Sequence, residues 1–157
     1  MSMDWYLIVK TLHIISSTIL FGTGIGIAFF MFRSMFTSNI QEKLYAVKNT
    51  VIADYIFTFP AAIIQPISGI ALIQMAGYDW MSYWLVLTYV IYIVAGVCWF
   101  PVVWIQIQLR NTVVEAVAND IDLPDRYNKL FRVWFLLGWP AFLGLIVVFY
   151  LMVAKPL

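Results

Sequence analysis

Four uninterrupted apolar stretches dominate this chain of 157 residues, at about positions 5–32, 50–76, 83–107 and 133–154. About 20 consecutive apolar residues cross the hydrocarbon core of a bilayer as an α-helix. In lipid every backbone N–H and C=O must find its partner within the segment, which makes helix the default. Continuous runs also exclude a transmembrane barrel, whose strands alternate over about ten residues. The expected fold is all-α: an integral-membrane, up-and-down bundle of four transmembrane helices. It forms one domain over residues 1–157, with helices at about 5–32, 50–76, 83–118 and 126–154. Composition agrees, because 64 % hydrophobic and 11 % charged residues is more apolar surface than a soluble domain of this size buries. A soluble enzyme, a disordered tail and a disulfide-rich secreted module are excluded. A net charge of +1 gives no basic field for nucleic acid. Cys98 is the only cysteine, so there is no internal disulfide and no Cys/His zinc pattern.

The first span does not read as a cleaved signal peptide: it is too long, Asp4 replaces a basic leader, and no small-residue cleavage site closes it. The polar connections at 33–48 and 110–132 carry Arg33, Lys43, Lys48, Arg110, Arg126, Lys129 and Arg132, and only Lys10 and Lys155 fall at the other face. The positive-inside rule places those two connections in the cytoplasm and both termini outside, as expected of a multi-pass protein of a bacterial inner membrane. Residues 122–125 read as a turn, with Asp125 a candidate N-cap for the last helix.

Polar side chains inside lipid are costly and are functional candidates by default. His13, the only histidine, lies about 12 Å along the axis from Trp5. Lys10, His13, Ser17 and Gly24 fall on one stripe at helical spacing: a cation, an imidazole, then small residues that admit a partner helix or a flat ligand. Imidazole is a common haem-iron ligand, and a lysine one turn outward suits a propionate. The plainer reading is a histidine bonded to a neighbouring helix beside a snorkelling lysine. Gly22 and Gly26 form a GxxxG on another side, for close packing within the chain or in a homo-oligomer.

The second span carries Asp54, Thr58, Ala61, Gln65, Ser68, Gly69 and Leu72 as a polar and small stripe expected to face the bundle interior. Gln65 and Ser68 come out at the depth of His13. Asp54 reads as an interfacial carboxylate or an ion-pair partner of Arg132. Pro60 and Pro66 should bend this span and free backbone carbonyls. The third span has Tyr89, Tyr92, Gly96, Trp99 and Val103 on one side, a wall for a porphyrin or quinone or plain packing. No paired carboxylates, Ser-His-Asp set or phosphate loop is present.

The segments Lys10-Thr-Leu-His13, Phe21-Gly22-Thr-Gly24, Gln65-Pro66-Ile-Ser-Gly69, Leu137-Gly138-Trp-Pro140 and Lys155-Pro156 resemble a bacterial family of integral membrane proteins of unassigned function, over nearly the whole chain. More distantly, Lys10-x-x-His13 near the outer end of the first helix is similar to haem-binding membrane protoporphyrinogen IX oxidases and to copper-resistance D-type membrane proteins. Arg132, Pro140 and Lys155-Pro156 resemble the last helix of the oxidase group. That resemblance implies haem b, with His13 as axial ligand and Lys10 near the porphyrin's acidic groups. The chain departs from the oxidases at Gly138-Trp139, where they carry Asn-Glu, and it lacks their further histidines. The iron would then be five-coordinate, take a non-histidine sixth ligand, or be shared between two chains.

Three readings result. The first is a haem b protein in electron transfer or porphyrin redox chemistry, with Lys10, His13, Ser17, Gly24, Gln65 and Tyr89 as cofactor-binding candidates, His13 on the metal, and a redox partner. The second is a non-enzymatic membrane scaffold or accessory subunit that packs through Gly22 and Gly26. The third is a metal or small-solute permease using the soft sulfurs of Met31 and Met35, which lie too far from His13 to share an ion with it.

Overall fold

The computed structural model describes residues 3–156. Its elements are α1 (Met3–Ser34), α2 (Ile40–Ala53), a π-helical turn (Asp54–Thr58), α3 (Phe59–Ala76), α4 (Tyr83–Asn119) and α5 (Asp125–Ala154), with no strand among the described residues. α2, the π turn and α3 form one continuous rod, so four helices are long and apolar enough to cross a membrane. They run alternately up and down. One end of the bundle, the terminus end, carries the start of α1, the α3–α4 connection and Lys155. The other, the loop end, carries the α1–α2 and α4–α5 connections.

The second helix begins at Ile40, ten residues before its apolar stretch. Asn39 explains the start: its side-chain oxygen accepts from the N–H of Gln41 at 2.9 Å, capping one of the helix's orphan donors. The segment is amphipathic, and Ala46, Val47, Thr50 and Val51 are buried along one side. Lys43 ties it down by donating to the Ser34 carbonyl at 2.8 Å. At α5, Pro124 and not Asp125 occupies the N-cap position, with no side-chain cap. Proline already holds the extended φ needed there, and Asp125 becomes a first-turn acid facing the helix dipole.

The rod and α4 are each 37 residues long, roughly 55 Å at the helical rise, far more than a ~30 Å hydrocarbon core needs. The surplus shows in the packing. The fully buried large side chains Tyr127, Met31, Leu109, Val47 and Val113 all lie toward the loop end, in one cluster with Ile27, Ile105, Phe131 and Trp134. Here the helices build an ordinary buried core. Met31 is sealed in it and Met35 packs against it. Within lipid, outward-facing side chains such as Phe100, Val97 and Leu136 stay exposed to acyl chains. Close helix approach there follows small residues. At Gly144 of α5 an added Cβ would come within 2.8 Å of Ile91 Cγ2 on α4.

The terminus end is closed by a smaller cluster of Ile73, Trp84, Leu85 and Leu151. Gly77 makes the turn between α3 and α4 with a left-handed φ of 68°, a conformation glycine adopts without penalty. Lys155 donates to the Tyr78 hydroxyl and lies 4.6 Å from the centre of the Tyr78 ring, which ties the end of α5 to that turn.

Candidate functional site

Pro66 sits inside α3 and has no N–H to give the carbonyl four residues earlier. That carbonyl belongs to Ala62, and it accepts instead from the Tyr92 hydroxyl of α4 at 2.7 Å. One aromatic of the α4 stripe therefore satisfies a backbone group that lipid cannot, and it bridges the α1–α3 pair to the α4–α5 pair. Pro60 is handled differently. It falls in the first turn of α3, immediately after the π turn, where the N–H of Phe59 reaches back to Asp54 O. The wider turn takes up the missing bond.

One turn further toward the terminus end, α1 and α3 meet through polar side chains. Gln65 donates from Nε2 to the His13 carbonyl at 2.7 Å and also contacts Ser16 Oγ. Ser16, buried, donates to the same carbonyl at 3.1 Å. The His13 ring lies against α3, its Nδ1 2.8 Å from Ser68 Oγ. An added Cβ on Gly69 would stand 3.4 Å from His13 Cε1, so Gly69 is the flat bed on which the ring rests.

Ser68 sets the tautomer of the ring. Its single hydroxyl hydrogen goes to the Ile64 carbonyl at 2.6 Å, the back-bond of a serine within a helix. Its oxygen therefore faces His13 as an acceptor. With the serine hydrogen on the Ile64 carbonyl, the network assigns the ring hydrogen to Nδ1 and the lone pair to Nε2. The ring is half-buried, and the Gln65 backbone also lies within hydrogen-bonding reach of it. The bond to Ser68 of α3 is the contact with a neighbouring helix that the plainer reading of His13 expects.

Of the six candidate cofactor residues, the structure joins His13 and Gln65 directly. Tyr89, on α4, is placed with its hydroxyl buried and unpartnered. Lys10 is exposed on α1, its ammonium 5.7 Å from the Tyr6 ring centre. Ser17 spends its hydroxyl on the Ile14 carbonyl of its own helix at 2.7 Å. Gly24 is exposed with open space around its Cβ position. Ser68 and Gly69 belong to the site instead, as members of the small-and-polar stripe of the second span. Gly22 and Gly26 likewise have no atom within 4 Å of a Cβ position, and Gly26 borders a crevice between α1 and α2. Asp54 is buried and forms no ion pair with Arg132, which is exposed.

No group of three His, Cys, Asp or Glu side chains stands ready for a metal ion among the described residues.

The family model described as "Predicted integral membrane protein (DUF2269)" matches residues 7–156. No curated protein and no solved structure matches the chain.

Proposed function

The chain belongs to the DUF2269 family of integral membrane proteins, and from the geometry of its terminus-end half we propose that it binds haem b through His13 and serves in electron transfer or porphyrin redox chemistry. The observation that carries this reading is the His13–Ser68 contact of 2.8 Å, which leaves Nε2 with its lone pair free. Ser68 is a positioning residue: it holds the ring and fixes the tautomer. Gln65 braces the same turn of α1, and Tyr89 supplies an unpaired hydroxyl from α4. Haem, when bound, supplies the one-electron chemistry, and the protein supplies binding, orientation and a low-dielectric surround. Lys10, one turn toward the surface, is free to swing from Tyr6 to an acidic edge of the porphyrin. Purified protein supplied with haem should show a Soret band that His13→Ala abolishes. No band, or one unchanged by that substitution, contradicts the proposal.

In this reading the protein sits in a bacterial inner membrane with both termini outside the cytoplasm, on the strength of the lysines and arginines gathered at the loop end. Reporter fusions at residue 157 that are active only on the cytoplasmic side would reverse that orientation.

A second reading, a non-enzymatic scaffold or accessory subunit, is favoured by Gly22 and Gly26. Both have open space at their Cβ positions, where a partner could come close. Self-association there predicts that Gly22→Leu abolishes cross-linked dimers in membranes, while His13→Ala leaves them intact.

A further inference from the structure

α1 and the loop-end half of the rod part along a crevice of about 700 Å³, which the His13 reading leaves unused. Its two charged lining residues stand together at the loop end. Arg33 is in the last turn of α1 and Glu42 in the first turn of α2. Their chain neighbours Ser34 and Lys43 are joined by the 2.8 Å bond, so the two charges stand level, one on each wall. Deeper in, the crevice is lined by hydrocarbon from Ile27, Ile52 and Phe57, with two threonines as the only polar side chains. Gly26 borders this part, and nothing lies within 4 Å of its Cβ position, so the space is left open.

That order of groups matches a phospholipid. Glu42 to Phe57 spans roughly 22 Å at the helical rise, and one leaflet with its headgroups is about 20–22 Å thick. Basic pockets between transmembrane helices hold lipid headgroups. Each charge also suits the dipole of its own helix, but both line the same crevice and together they select. The Arg33 guanidinium matches a phosphate. The Glu42 carboxylate repels a purely anionic headgroup and accepts hydrogen bonds from an ammonium. A zwitterionic headgroup that carries both a phosphate and a primary ammonium satisfies the two walls at once.

We propose that the crevice holds one phosphatidylethanolamine, its phosphate on Arg33, its ammonium on Glu42 and an acyl chain along Ile27, Ile52 and Phe57. It stands independently of haem binding. Native mass spectrometry tests it on the full chain, taken from vesicles of equal parts phosphatidylethanolamine and phosphatidylglycerol with matched acyl chains. The expected result is one phosphatidylethanolamine retained per chain. Arg33→Gln weakens retention by about fivefold. Glu42→Gln shifts the preference to phosphatidylglycerol, and Gly26→Phe, which fills the apolar part, abolishes retention. Arg132→Gln, exposed and outside the crevice, changes nothing. The wild type reads the site even where a variant fails to fold. A phosphatidylethanolamine with a diazirine midway along one acyl chain should label residues 23–30 and 50–57 above the rest, and unlabelled phosphatidylethanolamine should compete where phosphatidylglycerol does not. No retained lipid, equal retention of the two headgroups, or labelling spread evenly over Phe100 and Leu136 overturns the site. A dimer that Gly26→Phe breaks while lipid retention stays unchanged also overturns it, and gives the crevice to a second copy of the chain.

Discussion

Tyr92 donates its hydroxyl hydrogen to the Ala62 carbonyl at 2.7 Å, the carbonyl that Pro66, four residues on, leaves without its helical partner. Side chain and proline form a matched pair across two helices. Tyr92→Phe should strip the carbonyl of its partner and lower stability by about 1–2 kcal/mol. Pro66→Ala restores the helical N–H, so in that background Tyr92→Phe should have a much smaller effect. Thermal unfolding of the four proteins in detergent gives the coupling. Equal losses in both backgrounds would show that the bond does no such job.

Gly144 lets α5 lie directly against Ile91 of α4. A methyl placed 2.8 Å from Ile91 Cγ2 overlaps a β-branched side chain with little freedom to move. Gly144→Ala should destabilise by about 1–3 kcal/mol, and Ile91→Ala in the same chain should recover much of the loss. Gly22→Ala, with open space at its Cβ position, should leave the melting temperature of the monomer unchanged or slightly higher.

The cap at Asn39 holds the loop-end extension of the second helix. Asn39→Ala removes the acceptor for the Gln41 N–H and should cost about 1 kcal/mol. Amide exchange should rise at residues 40–43 and stay unchanged in α3. Faster exchange throughout the rod would mean that the extension and the membrane span unfold together.

The four spans were legible because hydropathy in lipid is close to a direct readout of structure. The depth match of Gln65 and Ser68 with His13 was legible too, since antiparallel helices with a short connection place their residues by simple counting. The start of the second helix was not. Residues 40–49 are amphipathic, and a search for continuous apolar length passes over them, although Asn39 before a pattern of Ile40, Leu44, Val47 and Val51 is a readable cap and stripe. Rotation angles put Lys10, Ser17 and Gly24 on the His13 stripe, but they do not say which turn meets a neighbour. α1 meets α3 at His13 and Ser16, while Gly24 faces open space. The partner of Ala62 was hidden because it pairs a proline effect on one helix with a tyrosine on another. Asp54 illustrates the same limit. Arg132 pairs with it by type and approximate depth, but the π turn directs the carboxyl to Thr58 and Gln106.

Ser68 carries the tautomer argument, so it separates a positioned ligand from a bystander histidine. Ser68→Ala removes the acceptor for Nδ1–H and should weaken haem binding by about 10–100-fold, with a shifted spectrum. Ser68→Thr, which keeps a hydroxyl, should recover most of the affinity. An affinity indifferent to both changes would detach Ser68 from the site.

Imidazole rescue reads the bond between His13 and the iron itself. His13→Gly opens a ring-sized space beside Gly69, and haem titration of that variant should give no Soret band until free imidazole is added, whereupon the wild-type spectrum returns. A variant that binds haem as well as wild type without imidazole would contradict the assignment of His13 as the iron's ligand.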